Sequence, residues 1–172
     1  MSRGTIVIGL VVCLLAGCGG KSPQIPSRRL GSKPQADSST LALMEMNYRL
    51  AVAADEELMQ IAQAQEEPYA LYEGSAWVRI TDKGDEERPV KNGEMCSLRI
   101  RTYTLGGRLL TDVEQDWKIG VFDLPLAIDR NISSWNHGGH VRMYAPWYSA
   151  YGMKGNEDVP PYENVIIELD IR

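Results

Sequence analysis

Alternation of apolar and polar side chains in three segments restricts the fold of this chain more than any other feature. The segments are Ala76–Ile80, Cys96–Tyr103 and Asn164–Ile171. A period of two residues puts apolar side chains on one face of a strand, so each segment predicts a half-buried β-strand. Strands with one apolar face are typical of antiparallel sheets.

Further short elements are predicted around these segments. A Gly-Gly pair at 106–107 indicates a hairpin. Pro125 is suited to open a short helix that runs through Ile128 and Ile132. The remaining strands are predicted at 108–111, 117–122 and 141–145. Strands therefore dominate and one short helix is inserted late, which predicts the α+β class.

A helical arm is predicted at residues 40–67, ahead of the strands. The stretch mixes apolar and charged residues and holds neither Gly nor Pro between Thr40 and Gln65. The acidic residues 55–57 leave two interpretations open, one helix or two shorter ones. Its methionines are interpreted as core or helix-packing residues in preference to a flexible binding face: Met44, Met46 and Met59.

The N-terminus has the form of a secretory signal over residues 1–17. Arg3 supplies the positive charge, and the apolar core at Thr5–Leu15, about eleven residues, is too short to span a bilayer. Residues 15–18 (Leu-Ala-Gly-Cys) resemble the lipobox of bacterial lipoproteins. The resemblance implies cleavage before Cys18 and a lipid on its thiol. An ordinary signal peptide that ends beside a cysteine is the alternative.

The lipidated cysteine and a flexible tether are predicted to occupy residues 18–39, which are rich in Gly, Ser, Pro and Lys. Of the three cysteines, Cys13 would leave with the signal and Cys18 would carry lipid. Cys96 alone cannot close an intrachain disulfide, so the domain depends on a packed core. The alternating run around Cys96 indicates a small core residue rather than a nucleophile.

Composition and motifs exclude several functions. The 172-residue chain has a formal net charge of −5, which argues against nucleic-acid binding. It has no phosphate-binding Gly-rich loop and no nucleophile elbow, so no cofactor is expected. His137 and His140 are too few for a metal site. Trp147 and Tyr148 leave two readings open, an aromatic recognition lip or a cover over the core.

The C-terminal region resembles FKBP-type peptidyl-prolyl isomerases. The likeness rests on residues 150–152 (Ala-Tyr-Gly), residues 159–161 (Val-Pro-Pro) and the alternating strand at 164–171, and it extends over 74–172. It implies a twisted antiparallel sheet wrapped around a short helix, and a helical arm ahead of the domain occurs in many secreted bacterial members.

The resemblance also implies a proline-binding pocket, although several of its usual residues have changed. Tyr151 keeps the family tyrosine that donates a hydrogen bond to the substrate carbonyl. Thr111 stands where the family has a rim carboxylate, and Pro125 replaces a residue whose N–H contacts substrate. The predicted pocket residues are Tyr151, Val159, Ile167, Ile128, Leu110 and Ile100. Four of these aliphatic residues replace family aromatic residues.

The resulting functional prediction is a lipid-anchored isomerase or folding helper for exported proteins. Its partners would be proline-containing polypeptides and, through the lipid on Cys18, a membrane. The expected location is the bacterial cell envelope, on the periplasmic side of the outer membrane. The alternative is a catalytically degenerate protein of the same fold that serves as a binding or assembly subunit of an envelope complex.

Overall fold

The computed structural model describes residues 37–172, and a six-stranded antiparallel sheet forms its centre. The strands are β1 (Ala70–Leu71), β2 (Trp77–Asp82), β3 (Met95–Thr104), β4 (Leu109–Lys118), β5 (His140–Ala145) and β6 (Val165–Ile171). Their spatial order is β1-β2-β5-β6-β3-β4. A short helix, α2 (Leu126–Asp129), packs on one face, and a long helix, α1 (Ser38–Gln63), packs on the other. The predicted α+β class is confirmed.

The main core lies between the sheet and α2. The inward residues of β6 are at most 1% exposed: Val165, Ile167, Leu169 and Ile171. They meet Ile128 of α2, which is fully buried, and the inward residues of β3 and β5. Burying one such side chain contributes about 1.5–3 kcal/mol relative to leaving it in water. The predicted alternation is therefore the basis of this core.

One end of the opposite face of the sheet is covered by the second half of α1. Ala54, Leu58 and Ala62 recur every four residues, so they form one buried stripe, in which Leu58 and Ala62 pack against Tyr144 of β5 and Ile166 of β6. Polar contacts reinforce this packing. The Tyr148 hydroxyl donates to Asp55, and the Asn164 amide donates to Glu57 at 2.8 Å. This half of α1 belongs to the folded domain.

The first half of α1 differs from expectation. The helix is continuous over 26 residues and ends at Gln63, so of the two open interpretations the single helix is correct. The three methionines are exposed: Met44 to 61%, Met46 to 46% and Met59 to 38%. Predicting them as packing residues is wrong for this chain. Met44 and Met46 precede the part of α1 that packs on the sheet, and Met59 follows the buried Leu58 and lies outside the buried stripe of the helix.

Strand β4 replaces two predicted strands. A single ten-residue strand, Leu109–Lys118, takes the place of the separate predictions at 108–111 and 117–122. It pairs with β3 along its length, with one bulge where Thr102 faces Thr111 and Tyr103 faces Leu109. After Lys118 the chain turns through positive φ angles, 80° at Gly120 and 61° at Phe122, which end the strand.

The predicted signal peptide and Cys18 lie outside the described residues, as does the tether up to residue 36. Within residues 37–172, no helix combines the length and the hydropathy that a bilayer crossing requires.

Replacing Leu58 tests whether α1 is part of the domain. Leu58 is fully buried against the sheet. We expect Leu58→Ala to lower the free energy of unfolding by about 2–5 kcal/mol, because it leaves a cavity between α1 and the sheet. Denaturant unfolding would measure this change.

Met59→Ala is the matched control, since Met59 is the next residue of the same helix and is 38% exposed. It should change the free energy of unfolding by less than about 0.5 kcal/mol. Equal effects of the two substitutions would contradict a docked helix.

Candidate functional site

A cavity of about 330 Å³ opens between the β3–β4 hairpin and two loops, 119–125 and 150–159. It lies where the edge strand β4 leaves the sheet without a further neighbour. Its walls combine apolar, hydroxyl, amide and carboxylate groups: Ile100, Thr111, Val113, Gln115, Trp117, Asp123, Pro125, Tyr151, Asn156 and Asp158. Binding sites for small groups commonly have such a mixture of apolar walls and a few polar groups.

Tyr151 is held at this cavity by a tight turn. The turn follows a 3-10 helix, Trp147–Ser149, and the Gly152 N–H donates to the Trp147 carbonyl at 2.7 Å. Gly152 has φ 75°, a conformation that favours glycine. The Tyr151 hydroxyl lies 2.7 Å from the Thr102 hydroxyl of β3. The phenol is thus fixed at both ends, by the turn and by the sheet.

The loop after Tyr151 presents a carboxylate to the cavity. The Asn156 side-chain oxygen accepts from the backbone N–H groups of Asp158 at 3.0 Å and Val159 at 2.7 Å. A Cβ on Gly155 would lie 2.1 Å from the Val159 carbonyl oxygen, so this close approach requires glycine. The Asx turn places the exposed Asp158 on the cavity rim.

The loop between β4 and α2 supplies the opposite part of the rim. Asp123 is exposed there, and Pro125 follows it as the residue that opens α2. The Pro125 carbonyl accepts from the Ile128 N–H at 2.8 Å, which starts the helix. Because proline has no N–H, the wall at this point offers no backbone donor to a ligand. Asp123 and Asp158 form no ion pair with another described residue, and no basic residue lines the cavity.

The structure brings together two of the six predicted pocket residues. Ile100, 4% exposed, and Tyr151 both line the cavity. The other four lie in or against the main core and outside the cavity lining: Val159, Ile167, Ile128 and Leu110. Ile128 and Ile167 are fully buried, and Val159 is 1% exposed. Leu110 is the extra residue of the β4 bulge and is turned against the core.

Sequence reasoning missed three residues of this region. The family position of the rim carboxylate falls on Thr111, but Asp123 and Asp158 provide carboxylates from the two loops instead. Thr102 was missed as well, although it follows Ile100 by two residues and therefore shares its face of β3. The Gly155–Asn156 pair was an available signal for the loop that presents Asp158.

Trp147 and Tyr148 cover the core and contact α1. Trp147 is 6% exposed, and its ring packs edge-on against Tyr148 and Tyr162, with centroid distances of 5.4 Å and 4.9 Å. Burial and the hydrogen bond to Asp55 raise the pKa of Tyr148 to about 12, so the phenol stays neutral. Because the Trp147 ring is buried, the structure favours the interpretation that these rings cover the core over the interpretation that they form a recognition lip.

Other reactive side chains lie outside this cavity. Cys96 is 1% exposed, and burial together with Glu94 and Asp116 raises its pKa to about 11, so the thiol is not a nucleophile at neutral pH. His137 Nε2 lies 3.0 Å from Glu94, and His140 bonds Asp170. Within residues 37–172, no three His, Cys, Asp or Glu side chains converge as a metal site would require.

Comparisons with known proteins identify the fold. No protein-family model matches this chain, and no curated protein does. A peptidyl-prolyl cis-trans isomerase from Pseudomonas syringae pv. tomato matches with a TM-score of 0.58 at 17% identity, over 80% of this chain and 96% of the other. FkpA from Escherichia coli matches with a TM-score of 0.58 at 16% identity, over 78% of this chain and 63% of the other.

The chain therefore has the FKBP-like fold of peptidyl-prolyl isomerases, as its C-terminal motifs predict. At these identities the likeness establishes the fold alone.

The carboxylates of the rim should select the charge of a ligand. We expect a short peptide with lysine before proline to bind about three to ten times more tightly than the same peptide with glutamate, because within residues 37–172 Asp123 and Asp158 have no cationic partner. Fluorescence anisotropy of labelled peptides would measure the two dissociation constants. At 0.5 M salt the preference should largely disappear, because the Debye length shortens from ~10 Å at 0.1 M to ~3 Å at 1 M.

The double variant Asp123→Asn/Asp158→Asn should lose this preference. Glu56→Gln/Glu87→Gln removes two exposed carboxylates that do not line the cavity and serves as the control. If both double variants weaken the preference equally, the cause is net charge and not the rim.

Proposed function

We propose that this protein is a peptidyl-prolyl cis-trans isomerase. The proposal rests on one observation: the Tyr151 phenol stands on the wall of a cavity beside the β3–β4 hairpin of an FKBP-like fold. The Ala-Tyr-Gly motif at residues 150–152 and the position of Tyr151 at the cavity both support the proposal. The solved isomerases of the same fold support the assignment.

The chemistry requires no metal and no proton transfer. Rotation about an X-Pro bond has a barrier of about 18–20 kcal/mol, which comes from amide resonance. An apolar wall such as Ile100 or Val113 removes water from the amide and so disfavours the planar, charge-separated form. A hydroxyl donor such as Tyr151 can hold the carbonyl oxygen while the bond is twisted. Lowering the barrier then depends on binding the twisted amide more tightly than either planar isomer.

The residues that line the cavity predict a lower isomerase activity than a cavity with aromatic walls would have. Ile100 occupies a position where the family has tyrosine, and Trp117 is the indole of the cavity lining. Each missing ring contact removes about 0.5–1.5 kcal/mol beyond area burial. We therefore expect activity that is measurable at high enzyme concentration and lower than that of an aromatic-lined site.

Removing the Tyr151 hydroxyl tests the isomerase function. We expect Tyr151→Phe to lower kcat/KM on Ala-Pro peptides about three- to tenfold, since one hydrogen bond to the substrate carbonyl contributes about 0.5–1.5 kcal/mol. A protease-coupled assay would measure the rate. Tyr103→Phe is the matched control, because the Tyr103 hydroxyl bonds Glu168 at 3.1 Å on the opposite face of the sheet.

A rate no faster than buffer for the wild-type protein would rule out the catalytic form. The second candidate would then apply, a binding or assembly subunit of an envelope complex. It is favoured by the exposed apolar residues of the first half of α1, since Leu41 is 54%, Met44 61% and Tyr48 67% exposed. Surfaces of this kind are typical of contacts with other proteins. A partner cross-linked to α1 together with an inactive cavity would support this candidate.

We propose in addition that a lipid on Cys18 anchors the protein to the periplasmic side of the bacterial outer membrane, where it acts on exported proteins. The lipobox-like residues 15–18 and the polar stretch before α1 support this. Each buried methylene contributes about 0.8 kcal/mol to membrane binding, so several acyl chains would hold the domain stably.

Replacing the lipidation residue tests the anchor. We expect Cys18→Ser to move the protein from the membrane pellet to the soluble fraction and to abolish incorporation of labelled palmitate. Cys96→Ser leaves the predicted lipid site intact and should change neither result. Labelling that survives Cys18→Ser would contradict the proposed attachment site, and a density gradient would separate inner from outer membrane.

A further inference from the structure

The hydroxyl of Thr102 occupies an unusual place for a polar group. Thr102 lies in the interior strand β3, between Thr111 of β4 and Ile167 of β6, and its side chain is fully buried. Among residues 37–172, its hydroxyl forms one hydrogen bond, to the Tyr151 hydroxyl at 2.7 Å. Burial of a hydroxyl is unfavourable unless a partner satisfies it. Tyr151 therefore supplies the hydrogen bond that offsets the cost of burying the Thr102 hydroxyl.

The direction of this hydrogen bond follows from counting protons. Each hydroxyl has one proton to donate. If Tyr151 donated to Thr102, the Thr102 proton would be buried without an acceptor among the described residues. If Thr102 donates instead, the Tyr151 proton remains for the cavity, where water or a ligand can accept it, because Tyr151 is partly exposed. The second arrangement satisfies both groups.

We infer that Thr102 is a positioning residue for Tyr151. Its hydroxyl donates to the phenol oxygen, fixes that oxygen against the sheet and directs the phenol proton towards the cavity, where a substrate carbonyl accepts it. The inference rests on the proposed isomerase function and adds a residue to it. A chain of two hydrogen bonds also polarises the phenol, because each bond strengthens the next.

The alternative is that Thr102 serves the fold alone. Valine has nearly the same shape, favours strands equally and needs no hydrogen-bond partner, so it would suit a buried position in β3. Ile100, two residues earlier on the same face, is aliphatic. Packing alone therefore does not account for a hydroxyl at Thr102, whereas orientation of the phenol does.

Three variants test the inference. We expect Thr102→Val to lower kcat/KM on Ala-Pro peptides about three- to tenfold without loss of folding, and Thr102→Ser to restore it to within about twofold of the wild type. In a Tyr151→Phe background, Thr102→Val should cause no further loss, because the phenol oxygen is already gone. Thermal unfolding and amide spectra would show that each variant is folded.

Thr81→Val is the matched control. The Thr81 hydroxyl also donates one hydrogen bond within the sheet, to the His140 carbonyl at 3.0 Å, but it does not line the cavity. This variant should keep the wild-type kcat/KM. If the loss of any threonine hydroxyl from the sheet reduced activity, Thr81→Val would lower kcat/KM as well.

The outcomes separate this inference from the proposed function. An active wild type that loses activity in Tyr151→Phe but not in Thr102→Val would overturn the inference alone. Equal losses from Thr102→Val with and without the Tyr151 hydroxyl, or no recovery in Thr102→Ser, would overturn it as well. A Tyr151→Phe variant as active as the wild type would overturn the role of the phenol and, with it, the role of Thr102.

Discussion

Burial of one face of the central strands against α2 is the constraint on which the rest of the structure depends. In β6, Val165, Ile167 and Leu169 face the core under α2, while Ile166 faces α1. A shift of one residue in the pairing would exchange these faces, so the register is strongly specified. The same register places Thr102 of β3 opposite Ile167 and beneath the Tyr151 phenol. The candidate site thus depends on the core.

The cavity exists because the sheet ends at β4. The inner strands pack against α2 and α1, but among residues 37–172 β4 pairs with β3 alone, and its residues are largely exposed. In the described part of the chain, two loops border the space beside the hairpin. Their shapes depend on the left-handed conformations of Gly120 and Gly152 and on the Asn156 side chain. Loops on a rigid sheet are a common location for binding residues.

The predicted and the observed pocket differ because aliphatic residues stand at positions where the FKBP-type isomerases have aromatic residues. Ile128 and Ile167 are fully buried in the core, so they do not reach the cavity surface. Two loop carboxylates, Asp123 and Asp158, give the rim an acidic character that a threonine at residue 111 does not suggest. The cavity therefore contains the predicted phenol of Tyr151, and most of its other wall residues differ from the prediction.

The sequence by itself determined the strands of the core, the start of the short helix after Pro125 and a tyrosine that lines the cavity, because alternation, proline and a short motif are local signals. The predicted helix through Ile132 instead ends at Asp129, and a separate 3-10 helix follows at Ile132–Ser134. It did not predict β4 as one strand, because an edge strand exposed on both faces lacks a clear apolar alternation. Only the tertiary structure decided that the first half of α1 is exposed, since that depends on where the sheet ends. It alone brought Thr102 to Tyr151, because a contact between side chains 49 residues apart requires the register of the sheet and the turn after Trp147.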